Sequence, residues 1–405
     1  MANNNKHTGP NVPALRFPEF SGEWEKMSLQ DCCSDFSYGL NAPAKAYDGV
    51  NKYIRITDID ENTSVYKSDD PVSPDGLMSD EYLVNENDIL FARTGASTGK
   101  TYLYNQNDGR LFYAGFLIKA NVNNNCDPYF IFSQTKTQSY RRWVEIMSTR
   151  SGQPGINSQE YASYPLYVPS KEEQEKIALL LRGLDKRILV QSKIIEELTA
   201  LRSALHQGIM STGLEDGSWR MQTLAEVLSE RTELNNEGHA VHSVSVSKGI
   251  VNQIEYLGRS FAAKDTSRYH VAYPGDVIYT KSPTGEFPYG IVKQSQISIK
   301  AALSPLYGVY VPISPEIGYI IHNHFLSAKN ALNYLHPLIQ KGAKNTINIT
   351  NQRFLQNSMP LPTNKNAASL YYNAIKTVSD KIILEEMVME KFQSQKSFLL
   401  KTMFI

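Results

Sequence analysis

Two long stretches of the chain place core-type positions at alternating spacings of four and three residues. In the first stretch, which has polar breaks at two points, these positions are Ile177, Leu181, Leu184, Ile188, Gln191, Ile195, Leu198, Arg202, Leu205 and Ile209. In the second they are Tyr371, Ile375, Val378, Ile382, Glu385, Met389, Phe392, Lys396, Leu399 and Met403. A uniform offset of 194 residues relates the two series, and their polar breaks coincide.

This spacing is typical of the a and d positions of a coiled coil. It predicts two long helices, each with an apolar seam roughly 50 Å long at 1.5 Å rise per residue. Because a whole globular segment separates them in the sequence, the second helix can return antiparallel and pair with the first. The alternatives are pairing with another protein, or two ordinary amphipathic helices of a globular core.

Capping residues mark the ends of the first helix. Ser170 and Glu173 form a capping-box pattern, which predicts a helix start. Gly208 and Gly213 are typical of a helix end. The second helix has a weaker cap at its start. The expected helices therefore cover residues 170–212 and 364–405.

The segments that precede the two helices also repeat, with landmarks in the same order at offsets between 188 and 195 residues. Trp24 and Trp219 open the two copies. Further matched segments are 87–93 with 275–281, 150–157 with 341–348, and 164–169 with 359–362. The pair 87–93 and 275–281 each predicts a turn followed by a strand that ends in a basic residue. Four matches in one order indicate an internal duplication.

We therefore expect an α+β protein with a pseudo-twofold internal repeat. Two globular domains would be held apart by two long helices that form an antiparallel coiled coil. The expected divisions are a flexible tail over 1–12, a first globular domain over 13–169, a central helix over 170–212, a second globular domain over 213–363 and a C-terminal helix over 364–405.

Composition places the chain among globular proteins. Apolar residues make up 41% and charged residues 20% of the sequence, which argues against disorder. The sequence shows neither a continuous apolar run long enough for a membrane span nor a signal-peptide pattern at its start. Its three cysteines form no C-x-x-C pair, and this favours a reducing, cytoplasmic location.

The net charge is zero, but the charges are unevenly distributed. Residues 58–88 contain ten acids and one lysine, whereas residues 317–354 contain no acid and four lysines or arginines. Residues 134–157 hold four basic residues and one acid. Basic surfaces facing one way and acidic surfaces facing another are compatible with this pattern; ordinary solvated charge is the alternative.

Three segments resemble catalytic motifs, and each departs from the pattern. Residues 94–101 place only three residues between Gly95 and Gly99, one fewer than a phosphate-binding P-loop requires. Residues 127–130 lack the second proline of an adenine methyltransferase motif and favour a helix start. His322-Asn-His324 has no metal-ligand partners nearby. The sequence therefore predicts no catalytic residues and no metal site.

At this point the chain resembles the DNA specificity (S) subunits of type I restriction-modification systems. The resemblance rests on Leu-Arg-Phe-Pro-Glu-Phe-Ser-Gly-Glu-Trp at 15–24, on the strands Asp-Ile-Leu-Phe-Ala-Arg and Gly-Asp-Val-Ile-Tyr-Thr-Lys, and on the helix start Pro-Ser-Lys-Glu-Glu-Gln-Glu-Lys-Ile at 169–177. It covers essentially the whole chain. The local motifs are loose, whereas their order and twofold repetition are specific.

The resemblance implies that each globular domain is a target recognition domain that reads one half of an interrupted double-stranded DNA site. The two helices would fix the gap between the halves. Two modification (methyltransferase) subunits and the restriction (translocase-nuclease) subunits would be the partners. S-adenosylmethionine, ATP and Mg would bind in those partners and none of them in this chain, which would itself be non-catalytic. A coiled-coil scaffold without a nucleic-acid role is the alternative function.

The candidate DNA-binding residues are basic and polar side chains in matched loops of the two copies, together with a basic pair beside aromatic residues at 140–143. They are Arg93, Thr94, Ser97, Lys100, Arg141, Arg142, Arg150, Ser151 and Gln153 in the first copy and Lys281, Ser282, Thr284, Lys341, Lys344 and Asn345 in the second. For some of them the alternative is a structural role, either capping a turn or pairing with the acidic 58–88 stretch.

Overall fold

The computed structural model describes residues 11–149, 155–259, 265–341 and 347–405. The chain divides into two compact units. Unit 1 comprises residues 1–194 and 385–405, and unit 2 comprises residues 195–384. Each unit contains one globular domain and a part of each long helix. Among the described helices, none combines the length and the apolar character that crossing a membrane requires.

The described elements of unit 1 are mostly short strands, together with small helices, the first part of α5 and the last part of α10. The helices are α1 (Leu29–Cys32), α2 (Pro128–Gln134), α3 (Gln138–Ser148), α4 (Ser158–Ala162) and the first part of α5 (Lys171–Asp216). The strands are β1 (Glu25–Ser28), β2 (Cys33–Tyr38), β3 (Ala44–Ala46), β4 (Lys52–Ile54), β5 (Val72–Pro74), β6 (Asp88–Ala92), β7 (Thr101–Leu103), β8 (Leu111–Tyr113), β9 (Leu117–Val122) and β10 (Pro165–Val168).

Unit 2 has the same kind of composition. Its helices are α6 (Gln253–Leu257), α7 (Pro315–His324), α8 (Ala328–Leu335), α9 (Asn351–Phe354) and the first part of α10 (Lys365–Thr402). Its strands are β11 (Trp219–Thr223), β12 (Leu228–Glu230), β13 (His242–Ser245), β14 (Gly249–Asn252), β15 (His270–Ala272), β16 (Val277–Tyr279), β17 (Val292–Gln294), β18 (Ala301–Leu303), β19 (Gly308–Pro312), β20 (Gln340–Lys341), β21 (Ile347–Asn348) and β22 (Ser358–Pro362).

The two globular domains share one sheet order. The central antiparallel sheet runs β2–β9–β6–β7 in unit 1 and β12–β19–β16–β17 in unit 2. In each unit the first and last strands also pair, β1 with β10 and β11 with β22. The expected internal repeat is therefore confirmed in the topology. The flanking pairings are shared as well: Phe112 in β8 pairs in parallel with Tyr53 and antiparallel with Leu83, and Ala302 in β18 pairs in parallel with Val241 and antiparallel with Val271.

A buried aspartate starts the central strand of each sheet. Asp88 accepts a hydrogen bond from Asn85 N at 2.7 Å, and Asp276 accepts one from Tyr273 N at 2.8 Å. Each carboxylate thereby closes the turn that leads into its strand, and the following apolar residues lie buried on both faces of the sheet. This is the turn-then-strand signal that the sequence carried at matching positions.

The two long helices are antiparallel, as expected. In unit 1, Leu184 near the start of α5 lies in the same buried core as Leu399 near the end of α10. In unit 2, Leu205 near the end of α5 packs with Tyr371 near the start of α10. The predicted seam positions are buried or half-buried, namely Ile177, Leu181, Leu184, Ile188, Ile195, Leu198, Leu205, Tyr371, Ile375, Val378, Ile382, Met389, Phe392 and Leu399.

The central helix is longer than expected. Instead of ending after residue 212, α5 continues through Gly208 and Gly213 to Asp216, and Gly217 adopts a positive φ of 77° directly after it. Gly213 has a packing role, because a Cβ at this position would overlap the indole ring of Trp219. Glycine at 213 therefore permits a close approach within the helix and does not mark its end.

The start of α5 forms only half of the expected capping box. Glu173 N donates to Ser170 Oγ at 3.4 Å. The Glu173 carboxylate instead accepts two hydrogen bonds from Arg16, at 2.8 and 2.7 Å, in an ion pair whose side chains are 3% and 1% exposed. The N-terminal segment is thus fastened to the helix by a buried, bidentate pair.

Candidate nucleic-acid interface

Arg93 directly follows strand β6, and its side chain lies over the ring of Tyr38 with its Cζ 4.7 Å from the ring centroid. Arg93 Nη1 donates to Gly115 O at 3.3 Å, and Arg93 O accepts from Ile156 N at 2.9 Å. Stacking holds the planar guanidinium in a fixed orientation. The remaining N–H groups can then pair bidentately with a phosphate or with the O6 and N7 of a guanine.

Sequence reasoning missed Tyr38. Its hydroxyl accepts a hydrogen bond from Ser158 N at 3.2 Å, and the ring is 41% exposed. Burial alone would raise the pKa of Tyr38, but the hydrogen bonds from Ser158 and the charge of Arg93 lower it overall. An aromatic residue at the end of a strand carries no signal of its own, because only the fold brings it under Arg93.

The loop after Arg93 is a short turn followed by a strand. Thr94 pairs with Gly155, a single 3₁₀ turn covers Gly95–Ser97, and β7 follows at Thr101. Thr94 and Ser97 are half-buried. This segment therefore has no helix N-terminus that could hold a phosphate as a P-loop does. The structure brings Arg93 and Thr94 together with residues 155 and 156.

Lys100 has a structural role in this loop. Its Nζ donates to Ile59 O at 3.0 Å and lies 3.4 Å from Glu61 Oε1, and its side chain is only 14% exposed. The alternative considered for the basic candidates, pairing with the acidic 58–88 stretch, therefore describes Lys100. A variant at this position would loosen the loop at residues 59–61 as well as remove a charge.

The helix α3 presents two of the candidates to solvent. Arg141 and Arg142 are exposed, whereas Tyr140 on the same helix is 2% exposed and donates to Gly99 O at 3.1 Å. A Cβ at Gly99 would lie 2.6 Å from Val144, so the loop packs directly on this helix. The basic pair thus lies on the helix that supports the candidate loop, while its aromatic neighbour belongs to the core.

In unit 2 the central strand is followed by Lys281, which adopts a positive φ of 60° and is half-buried. Burial lowers its pKa, although Glu230 opposes the shift. The next residues, Ser282 and Thr284, are exposed. Thr284 N donates to Phe287 O at 3.0 Å, which closes a tight turn. This turn is the counterpart of the Arg93 loop.

The remaining candidates are only partly covered by the structure. Lys341 lies in β20, which pairs with β21 so that Lys341 is opposite Ile347. The other candidates of these two loops lie outside the described residues, and they are Arg150, Ser151, Gln153, Lys344 and Asn345.

A half-buried lysine joins the loops of unit 1. Lys136 Nζ donates to Ser64 Oγ at 2.8 Å and to Thr101 Oγ1 at 2.6 Å, and it lies 4.3 Å from the centroid of the Phe132 ring. Burial lowers the pKa of Lys136 well below its usual range. This side chain joins the acidic 58–88 segment to the strand that follows the Arg93 loop.

The motifs that resembled catalytic sites have structural partners. Asp127 caps α2, where its carboxylate accepts from Phe130 N at 2.8 Å. His322 Nδ1 accepts from Gln294 N at 3.2 Å, and His324 is buried against His206 at 5.6 Å between ring centroids. Across the described parts of the chain, no group of three or more histidine, cysteine or acidic side chains is arranged to hold a metal ion.

Comparison with known proteins gives three kinds of similarity. The profile of the family described as Type I restriction modification DNA specificity domain matches residues 21–200. The Type I restriction enzyme MjaVIII specificity subunit of Methanocaldococcus jannaschii is 23% identical over 154 residues, which are 37% of this chain and 35% of that protein. The Putative type I restriction enzyme MjaX specificity subunit of the same organism is 24% identical over 292 residues, 67% of this chain and 66% of that protein.

A similarity in structure covers almost the whole chain. The crystal structure of the type I restriction-modification S subunit from M. genitalium superposes with a TM-score of 0.63 at 14% identity. The superposition covers 97% of this chain and 99% of that protein, and it shows a shared fold. By sequence, this chain spans about a third of the first M. jannaschii relative and about two thirds of the second.

Proposed function

We propose, from the premise that the chain belongs to the DNA specificity (S) subunits of type I restriction-modification systems, that it selects a two-part DNA site and positions other subunits there. The observation that carries the proposal is the repeat itself. Each unit places a basic residue and a polar turn after the central strand of the same sheet. Two copies of one reading surface fit a site with two halves.

On these surfaces, some side chains would fix the position of the protein along the DNA, and others would recognise the base sequence. Exposed basic side chains such as Arg141 and Arg142 suit contacts with phosphates, which set the position on the duplex. Arg93, with its guanidinium held on Tyr38, suits a base contact. The turn residues Ser282 and Thr284 suit either type of contact in unit 2.

The long helices would set the gap between the half-sites. At the polar break of the seam, Gln191 Nε2 donates to Glu385 O at 3.1 Å and also to the Glu385 carboxylate. A polar pair inside an apolar seam fixes the register of two helices, because any shift leaves buried groups without partners. Inserting one heptad into both helices is expected to lengthen the gap by about three base pairs. Unchanged spacing after that insertion would exclude a spacer role.

Protein partners would dock along the outer faces of the helices. Large apolar side chains are exposed there in both units, and they include Leu179, Val190, Met387 and Phe398 in unit 1 and Leu201, Leu370 and Ile383 in unit 2. Such patches on a folded protein mark interaction surfaces. We propose two methyltransferase subunits that bring S-adenosylmethionine, and restriction subunits that bring ATP and Mg, in the cytoplasm where the DNA is. This chain would contribute recognition and no chemistry.

The exposed apolar helix faces also favour the second candidate, a coiled-coil scaffold without a nucleic-acid role. The two functions differ in one property. A DNA-reading subunit in complex with its methyltransferase partners binds duplex DNA with an affinity that falls as salt rises, whereas a scaffold shows no such binding.

The decisive experiment maps methylated adenines across the genome of cells with and without this gene. Loss of methylation at one interrupted motif, restored by the wild-type gene, is the expected result. The same map reveals the target. An unchanged map in cells without the gene would overturn the proposal.

A further inference from the structure

The same tight turn precedes strand β9 in unit 1 and strand β19 in unit 2. In unit 1 it is closed by Leu117 N donating to Ala114 O at 2.8 Å, and in unit 2 by Tyr307 N donating to Ser304 O at 3.0 Å. The third residue of each turn is large and apolar. Phe116 is 61% exposed, although its neighbours on either side of the turn are well packed.

The third residue of the unit 2 turn has the same character. Leu306 is 69% exposed, which is more than Phe116 and far more than a leucine that contributes to a core. Isolated exposed apolar residues are common on protein surfaces. Two at the equivalent position of a diverged internal repeat are a different observation, because nothing in the folding of either domain requires them.

A hydrogen bond places Phe116 beside a candidate DNA contact, and the strand register puts Leu306 at the corresponding position of unit 2. Phe91 pairs with Ile118 in β6 and β9, and two residues further on Arg93 N donates to Phe116 O at 3.1 Å. In unit 2, Tyr279 pairs with Gly308 in β16 and β19. Counted along the two strands from that pair, Lys281 and Leu306 are the positions that correspond to Arg93 and Phe116.

The unit 1 turn is held rigidly. Gly115 N donates to Leu40 O at 2.8 Å, and the adjoining backbone passes so close to Gly39 that a Cβ there would overlap the carbonyl oxygens of residues 113 and 114. Phe116 is therefore presented on a fixed backbone next to the stacked Arg93 and Tyr38. A fixed backbone lowers the entropy lost when a side chain meets its target.

We propose that Phe116 and Leu306 are specificity-determining residues that make apolar contacts with bases, one in each half-site. This inference rests on the proposed function and names further parts of the same surfaces. A base offers two apolar targets, which are the 5-methyl group of thymine in the major groove and the stacked face that a wedge reaches in the minor groove. The neighbouring basic residue would bind the DNA backbone or an adjacent base, while the apolar side chain contacts one base pair.

The test uses the full complex with its methyltransferase subunits and duplexes based on the motif found by the methylation map. Phe116→Ala is compared with Leu77→Ala, a control at a residue that is 96% exposed on another loop of unit 1. Leu306→Ala is compared with Ile313→Ala, which is 69% exposed in unit 2. All four residues are exposed, so the variants are expected to fold, and thermal melting checks this.

We expect Phe116→Ala to lower the preference for one base pair in one half-site about fivefold, and Leu306→Ala to do so in the other half-site. Both controls should select the same site as the wild type. Replacing thymine with uracil at the affected pair identifies a methyl contact if the wild type then loses affinity and Phe116→Ala does not. Loss of DNA bending in the variant, with no effect of uracil, identifies a wedge.

This inference would be overturned if the Phe116→Ala and Leu306→Ala complexes showed the same base preference as the wild type and the controls at every base pair. The proposed function would survive that result, because the complex would still bind its site. Absence of salt-dependent duplex binding by the wild-type complex would instead overturn the proposed function, and the two failures are therefore distinguishable.

Discussion

The two units have a basic side chain at the same position of the helical seam, but its surroundings differ between them. In unit 1, Lys396 on α10 lies 2.5 Å from Asp185 Oδ1, and the hydroxyl of Tyr129 donates to the other oxygen of the same carboxylate. In unit 2 the equivalent cation is Arg202 on α5. The residue that matches Asp185 is Ser379, so no carboxylate stands at that place.

Histidines surround the unit 2 position instead. Burial lowers the pKa of His206 to about 4, and the pKa values of His322 and His324 to about 3. The charge of Arg202 adds to the shift of His206 and His322, and Lys293, whose pKa falls to about 8, adds to that of His322. His206 Nδ1 lies 2.5 Å from the hydroxyl of Tyr371, a seam residue.

This difference shows that a duplicated fold can keep its helix packing while it changes how buried polar groups are satisfied. In unit 1 a carboxylate lies between a lysine and a tyrosine hydroxyl. Unit 2 relies on imidazoles that stay neutral next to a guanidinium. The two solutions respond differently to pH and to substitution, and this provides ways to test the comparison.

The largest expected effect is the loss of stability of unit 2 on acidification. The folded pKa values of His206, His322 and His324 lie below their usual 6.5, so the unfolded chain takes up protons first as pH falls. Their contribution to stability is complete above pH about 6.5 and is lost progressively as the pH falls to about 4 for His206 and to about 3 for His322 and His324. At pH 5.5 each histidine lowers the free energy of unfolding by about 1.4 kcal/mol, and the three together lower it by about 4 kcal/mol. Amide hydrogen exchange, measured at pH 7 and pH 5.5 and corrected for intrinsic rates, checks this. The amides of unit 2 should lose protection at pH 5.5, whereas those of unit 1 should not.

A smaller effect is expected from removing the carboxylate of unit 1. Asp185→Ala leaves Lys396 and the Tyr129 hydroxyl without their partner, and both charged side chains are largely shielded at 20% and 28% exposure. We expect a loss of about 2–3 kcal/mol in the free energy of unfolding of unit 1, below the full value for a buried pair because of that exposure. Urea unfolding measures it.

The matched control is Ser379→Ala in unit 2. Its hydroxyl is buried without a hydrogen-bond partner in the described residues, so its removal should change stability by less than about 0.5 kcal/mol. Equal losses for Asp185→Ala and Ser379→Ala would show that the two seam positions do not differ in the way described.

The smallest expected effect concerns how each unit packs its opening tryptophan. Trp219 lies on the helix backbone at Gly213, whereas Trp24 packs against Phe404 with ring centroids 6.3 Å apart. Gly213→Ala should destabilise unit 2 by about 1–2 kcal/mol through overpacking. Gly208→Ala, where a Cβ meets open space, should instead stabilise the helix by up to about 1 kcal/mol. Thermal melting that shows the same sign for both variants would contradict this packing.

The features that were predictable from the sequence are periodic or local. The heptad seam predicted the two long helices, the globular segment between them allowed antiparallel pairing, and the turn signals predicted strands β6 and β16. The end of α5 was misplaced because Gly213 serves a contact with Trp219, a residue outside the helix. Local patterns do not distinguish a glycine that ends a helix from one that admits a neighbouring ring.

The candidate surface was less accessible to sequence reasoning. Lys100 pairs with Glu61 across about 40 positions, and the inward direction of Tyr140 depends on how α3 packs on the sheet. Phe116 was missed because an apolar residue between two strands has the composition of a core residue. Its exposure becomes visible only when the turn that carries it is built.

The most direct test of the account is a comparison of the adenine-methylation motif in cells carrying Arg93→Ala with that in cells carrying Lys281→Ala. Both variants remove a basic side chain from the end of the central strand, one in each unit. We expect relaxed selection in one half of the motif for Arg93→Ala and in the other half for Lys281→Ala, with the gap unchanged. Relaxation of the same half by both variants would contradict the claim that each unit reads its own half-site.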